Sequence, residues 1–220
     1  MPMKETAPSN GLARRATATV RGAERYRALI EAAVLRIAEV GIEGFRVRDV
    51  ADNVGVNIAT LHHYFPKKED LLIAVVVELT GRLRGILSGT GQSRSSGKTN
   101  ARFRRHVDQV FAEIVREPQT FAAMIDLMVR ANRDREISTV IAASQQPWRA
   151  FLVDLMASEV QAGRLATANA DRIADQLISL ILGECLQLSI AGQLKPTPDR
   201  NGLRASRANL IDFLDRTFPT

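Results

Sequence analysis

The amino-acid sequence predicts an all-α protein, and three observations carry the prediction. Apolar residues recur three and four positions apart through most of the 220 residues. Alternating β-branched runs of the kind a sandwich or barrel needs are scarce, and aromatic residues make up only 5% of the chain. Helix-ending signals follow several periodic stretches: Gly41, Gly55 and Pro66 each sit where such a stretch stops. At this length an apolar share of 45% is enough to bury a core.

Residues 1–22 carry Ala, Thr, Arg, Gly and Pro with no apolar period, so a disordered basic arm is expected there, with Arg14, Arg15 and Arg21 on it. From Glu24 the pattern changes. Tyr26, Ile30, Ala33, Val34 and Ile37 form one stripe of an amphipathic helix closed by Gly41. A short helix follows over 47–54 with Val47, Val50 and Ala51 inward, and Gly55 stands where a left-handed residue belongs. Asn57 caps a third helix over 58–64, which stops before Pro66. These three define a domain over 23–66. A fourth helix over 67–87, with Glu69 and Asp70 at its positive end, connects to the rest of a second helical domain over 67–220.

Residues 88–100 contain no apolar side chain and predict a mobile loop. Gly91, Gly97, Lys98 and Thr99 in that loop imitate a phosphate-binding loop, but five residues separate the glycines where the motif has four, and no strand precedes them. Further helices are expected over 101–116, 118–131, 134–163, 170–192 and 203–218, with Pro147 kinking or splitting the third of these.

Charge is unevenly placed. The net +6 arises from thirteen Lys and Arg against ten Asp and Glu over 1–88, and five against none over 89–107. The remainder carries twelve against fourteen, so the positive end is the N-terminal one, where a phosphate backbone would bind. The longest apolar run, Leu177 to Ile190, is interrupted by polar residues and falls short of the roughly 18 residues that suggest a membrane span. The N-terminus has no apolar signal core, so a cytoplasmic protein without membrane attachment is expected. The single cysteine, Cys185, cannot form an intramolecular disulfide and reads as a buried thiol. No cofactor is expected, and no metal: His62 and His63 diverge by about 100° on a helix, leaving only His106 and Cys185 as further soft ligands.

Two short helices joined by a Gly-containing turn, the second rich in polar and aromatic tips, are the layout of a helix-turn-helix. Val47, Val50, Ala51, Val56, Leu61 and Phe65 supply apolar contacts between the helices, leaving Ile58, Ala59, Thr60, His62 and His63 outward and free to enter a major groove. The run VRDVADNVGVNIATLHHYFPKKEDLL closely resembles the helix-turn-helix signature of TetR-family repressors: a Gly-Val turn, a Thr-Leu pair, an aromatic cluster, and Lys-Glu near the start of the fourth helix. The likeness is dense over 23–72 and continues beyond only as a helical layout.

That resemblance implies base contacts from Ile58, Ala59, Thr60, His62 and Arg48, and phosphate contacts from His63, Tyr64 and Lys68, with Asn57 and Arg46 flanking them. Two departures from the family pattern stand out. Arg46 occupies a position usually held by Ser or Thr, so a cap of the second helix is lost, and His62 replaces a common tyrosine. The implied protein is a ligand-responsive homodimeric repressor that binds double-stranded operator DNA and releases it when a small molecule enters the C-terminal domain.

Within that domain Phe121, Met124, Met128, Trp148, Phe151 and Met156 are large adaptable side chains suited to an apolar cavity, together with Phe111 and Leu152; Gln145, Gln146 and Glu184 are candidate polar anchors. The 170–192 helix is apolar around most of its circumference and calls for a partner. Leu177, Leu180, Ile181 and Leu188, with Leu210, Ile211 and Leu214 from the last helix, fit a two-fold four-helix interface. An enzyme with a helical cavity is the competing class, and it lacks a nucleophile elbow, a phosphate loop or a spaced carboxylate pair. A protein-interaction module is a third, opposed by Arg46, Arg48, Lys67 and Lys68 on the presented face.

Overall fold

The computed structural model describes residues 10–88, 99–161, 170–194 and 200–217, and among them the chain is helical with no strand. Helix α1 spans Asn10–Gly44, α2 Val47–Val54, α3 Ile58–Tyr64 and α4 Lys68–Ser88. Helices α5 (Thr99–Arg116), α6 (Pro118–Ala131), α7 (Arg135–Gln161), α8 (Ala170–Ile190) and α9 (Arg200–Thr217) complete the chain.

The arm expected over 1–22 is helical from Asn10; residues 1–9 lie outside the described part. Past Pro8 the segment is built largely from Ala, Arg and Leu, which favour helix without needing a buried face, so α1 simply extends backwards. Gly41 does interrupt α1, with φ 72° and ψ 168°, a conformation open essentially to glycine alone, and one further turn carries the chain to Gly44. The Ile42 N–H freed by this break donates to the Asp126 carboxylate of α6 at 3.2 Å. Burial raises the Asp126 pKa, and that hydrogen bond opposes the rise.

Two apolar cores share α6. The first packs Leu29, Ile37, Phe45, Leu61, Leu71 and Leu79 from α1–α4 against Ala123, Met124 and Leu127 of α6 and Ile137 of α7. The second gathers Val107 and Ile114 of α5, Leu152 and Met156 of α7, and Leu177 and Ile181 of α8 around Phe121 and Ile125 of α6. A boundary at 66/67 therefore divides the first core, which reaches through α4 into α6 and α7. Arg82 of α4 ties this region together through Glu31 of α1 and Glu78 of its own helix.

Helix α7 passes through Pro147 as one helix, where a split into two was an expected outcome. Proline removes the hydrogen bond to the carbonyl of Ala143, and both residues are exposed, so water can take that carbonyl. The loop expected over 88–100 falls mostly outside the described residues, as does its imitation of a phosphate loop.

Helix α8 corrects two expectations. The most apolar 18-residue stretch of this 21-residue helix has a mean hydropathy of 1.4, so by length and composition it alone among the described helices could cross a membrane. Its buried stripe, Ala174, Leu177, Ile181, Cys185 and Leu188, is nonetheless core of the same chain. Leu177, Ile181 and Leu188, and Leu210 of α9, are thus spent inside the protomer and do not form an outward face; Leu180 and Ile211 are half-buried against the same core. The Leu214 side chain lies outside the described residues. What α8 turns outward is the opposite stripe of Ser179, Gly183, Leu186 and Ile190, and α9 exposes Phe213.

Candidate nucleic-acid interface and interior cavity

The helix-turn-helix is fixed from within its own sequence. Gly55 ends α2 at φ 71° and ψ 34°, its N–H bonding back to α2 carbonyls, and the chain re-enters helix at Ile58, three residues later. Asn57 caps α3: its Oδ1 accepts the Thr60 N–H at 2.7 Å and the Thr60 hydroxyl at 2.8 Å. Arg46 stands at the N-cap of α2 with no side-chain cap bond, as its departure from Ser or Thr predicts. Arg36 of α1 holds α2 in place instead, donating through Nε and Nη2 to Asp49 at 3.1 and 2.9 Å. At the start of α4 the Lys67 N–H donates to Asp70, the return half of a capping box.

Val50, Ala51, Leu61 and Phe65 are buried between these helices, and Val47 and Val56 are half-buried beside them. On the other side Arg46, Arg48, Asn57, Ala59, His62 and His63 are all exposed, and Thr60 partly so. Ile58 is half-buried against the first core, with less free surface than its outward assignment called for, and Tyr64 is half-buried against the same core. Tyr26 of α1 stacks on Phe65 at 5.0 Å between ring centroids and leans toward Tyr64 at 6.4 Å, bracing the C-terminal end of α3. Lys68 is more committed than its sequence position suggests. Its Nζ donates to the Phe45 carbonyl at 2.9 Å and sits 5.3 Å from the centre of the Phe45 ring, so one of its three N–H donors is spent inside the domain.

Between the two cores lies a cavity of about 90 Å³, walled by α4, α5, α6, α7 and α8. Of the residues expected to line it, Phe121, Met124, Met128 and Trp148 do, and so does the expected polar residue Gln145. Phe151, Met156 and Glu184 do not. Met156 is fully enclosed in the second core, Phe151 packs there beside His106, and Glu184 is half-buried on α8 without reaching the cavity wall. The structure adds Thr80, Leu83, Ile141, Ser144, Leu182 and Cys185, and Ile181, expected at a dimer surface, lines the cavity too. Behind the wall the Trp148 indole N–H donates to His106 Nε2 at 3.2 Å. His106 is fully buried, and desolvation pushes its pKa down to about 4, so the ring is neutral at pH 7. Burial likewise pushes the Cys185 thiol up to about 12, with the Glu184 charge adding to the rise. No group of His, Cys, Asp and Glu able to hold a metal occurs among the described residues.

Comparison with known proteins agrees with this arrangement. Residues 29–75 match the family of bacterial regulatory proteins of the tetR type, and residues 99–216 match the C-terminal domain of BetI-type transcriptional repressors. The chain belongs to the TetR family. It is therefore a DNA-binding transcriptional regulator of the helix-turn-helix class. It is 32% identical over 199 residues to the HTH-type transcriptional regulator BetI of Rhizobium meliloti, covering 87% of this chain and 88% of that one. It is 30% identical to BetI of Agrobacterium fabrum, covering 89% and 90%. Solved structures share the fold: a TetR regulator from Haloarcula marismortui superposes with a TM-score of 0.74 at 18% identity, over 88% of this chain and 98% of that one. A regulator from Saccharomonospora viridis, solved in complex with choline, superposes with a TM-score of 0.72 at 20% identity, over 88% and 96%.

Proposed function

We propose that the protein is a cytoplasmic homodimeric repressor that reads a pseudo-palindromic operator through α3 and leaves it when a small molecule occupies the cavity. The observation that carries this reading is the capped α3, whose tips stay exposed while its inner face is locked into the first core. In it Ala59, Thr60, His62 and Arg48 face base edges, His63, Tyr64, Arg46 and the remaining donors of Lys68 face phosphates, and Asn57 sets the register. Ile58 offers its exposed edge to a thymine methyl. The outward stripe of α8 with Phe213 supplies the two-fold interface, and symmetry then spaces two copies of α3 about 34 Å apart or a multiple of it.

Release has a mechanical route in the shared helix. Phe121, Met124, Ile125 and Met128 of α6 line the cavity, and Asp126 on the same helix holds the Ile42 N–H beside the break in α1 that leads into α2. A ligand that fits better with α6 displaced therefore disfavours the DNA-binding arrangement by its difference in affinity for the two states. Operator selection from random duplexes followed by salt titration tests the reading. Lys68→Ala should weaken all sites and reduce the salt slope by about 1, whereas His62→Ala should alter preference at one base step. An unchanged slope for a folded Lys68→Ala protein overturns the phosphate assignment, and failure to select any sequence overturns the reading.

A further inference from the structure

The cavity wall points to a particular ligand chemistry. Among the described residues its lining is hydrocarbon, aromatic and sulfur, apart from Thr80, Ser144 and Gln145, and includes no Asp, Glu, Lys, Arg or His. The hydroxyl protons are already committed. Thr80 donates to the Val76 and Val77 carbonyls at 2.7 and 3.0 Å, and Ser144 donates to the Ile141 carbonyl at 2.7 Å, so both oxygens offer the cavity lone pairs only. The Trp148 N–H is spent on His106. Gln145 brings a carboxamide, neutral at any pH, with both a donor and an acceptor.

Two acidic side chains on the wall helices stand outside the lining. Asp126 accepts the Ile42 N–H, and Glu184 stands on α8 outside the lining. A cation entering this space would leave its hydration shell without gaining a counter-charge. Among the described lining residues Phe121 and Trp148 give it two aromatic faces, fewer than the surrounding cage that quaternary ammonium recognition uses.

We infer that the effector is an uncharged, largely apolar small molecule carrying one hydrogen-bond donor such as a hydroxyl, and not a cation. The inference rests on the cavity being the effector site proposed above. It separates this chain from the choline-bound Saccharomonospora viridis regulator, whose fold it shares.

Choline and 3,3-dimethylbutan-1-ol form the natural test pair, because they share shape and hydroxyl and differ in a quaternary nitrogen against a carbon. Trp148 is the chain's only tryptophan and lines the cavity, so its emission in the full-length protein reports occupancy directly. The alcohol should bind at least tenfold more tightly than choline, and Gln145→Glu should reverse that order by placing a carboxylate in the wall. A thermal melt of the Gln145→Glu protein verifies its folding, and the wild-type pair alone already decides the main point. Equal or tighter binding of choline by the wild type overturns this inference and leaves the cavity as the effector site. A wild type whose Trp148 emission responds to neither compound overturns the cavity as effector site, and the inference with it.

Discussion

His106 should make the folded protein acid-sensitive by an amount that can be calculated. Its ring is buried among Trp148 and Phe151, and its Nε2 accepts the Trp148 N–H, which places the imidazole proton on Nδ1, a buried atom with no hydrogen-bond partner among the described residues. Protonation would set an Nε2–H against the Trp148 N–H and charge a fully enclosed ring. Burial lowers the pKa in the folded state from 6.5 to about 4, so between those values the unfolded chain binds a proton that the folded chain refuses. Stability is then full above about pH 6.5 and declines as pH falls toward 4. Relative to pH 7.5, this one group removes about 1 kcal/mol at pH 5.5 and about 2–3 kcal/mol at pH 4.5. The assay is urea unfolding followed by far-ultraviolet circular dichroism, at one protein concentration, for the wild type and His106→Gln. The amide of the variant can still accept the Trp148 N–H but never charges. The stability difference between the two proteins should move toward the variant by those amounts on acidification. A difference that stays flat from pH 7.5 to 4.5, or a His106 resonance that titrates near 6.5, refutes the burial argument.

Other perturbations isolate single elements. Gly41→Ala should destabilise more than Gly55→Ala by thermal melting: both force a side chain to positive φ at a cost of roughly 1–2 kcal/mol, but a Cβ at Gly41 also meets the Asp126 carboxylate at 3.2 Å, whereas at Gly55 nothing lies within 4 Å. Asn57→Ala should cost about 1 kcal/mol in urea unfolding by removing the α3 cap, and should weaken operator binding in gel-shift titrations by more than that stability loss explains. Ile190→Asp, at a position 72% exposed, should leave the protomer's helicity by circular dichroism unchanged while shifting sedimentation from dimer to monomer.

The N-terminal unit was legible because local chemistry decides it. Val47–Val54 and Ile58–Tyr64 fall where period, glycine and cap place them, since Gly55, Asn57 and Pro66 act on their immediate neighbours and need no distant partner. The same locality misled at the N-terminus. Lack of an apolar stripe over residues 10–22 argued against a helix, yet propensity and continuity with a long, well-packed neighbour are sufficient to extend one. Lys68 shows the limit from the other direction: its place at the head of α4 is readable, but its bond to the Phe45 carbonyl depends on how α4 folds back over the end of α1.

The interior and the partner surface of α8 could not be separated by sequence because both are written in leucine and isoleucine. An all-round apolar helix announces that two surfaces must be covered, without saying which stripe faces which. The chain resolves this by geometry: α8 packs against α6, α7 and α9, its stripe through Leu177, Ile181, Cys185 and Leu188 is buried in the second core and edges the cavity, and the stripe through Gly183, Leu186 and Ile190 is left exposed among the described residues. The two faces also differ in kind. The inner one is continuous large apolar surface, whereas the outer one mixes Ser179 and Gly183 with two large side chains, a profile that lets another helix approach closely along part of its length. Removing Leu186 or Ile190 therefore tests association, while removing Leu177 or Leu188 tests folding, and only the second pair was visible in the sequence as a candidate interface.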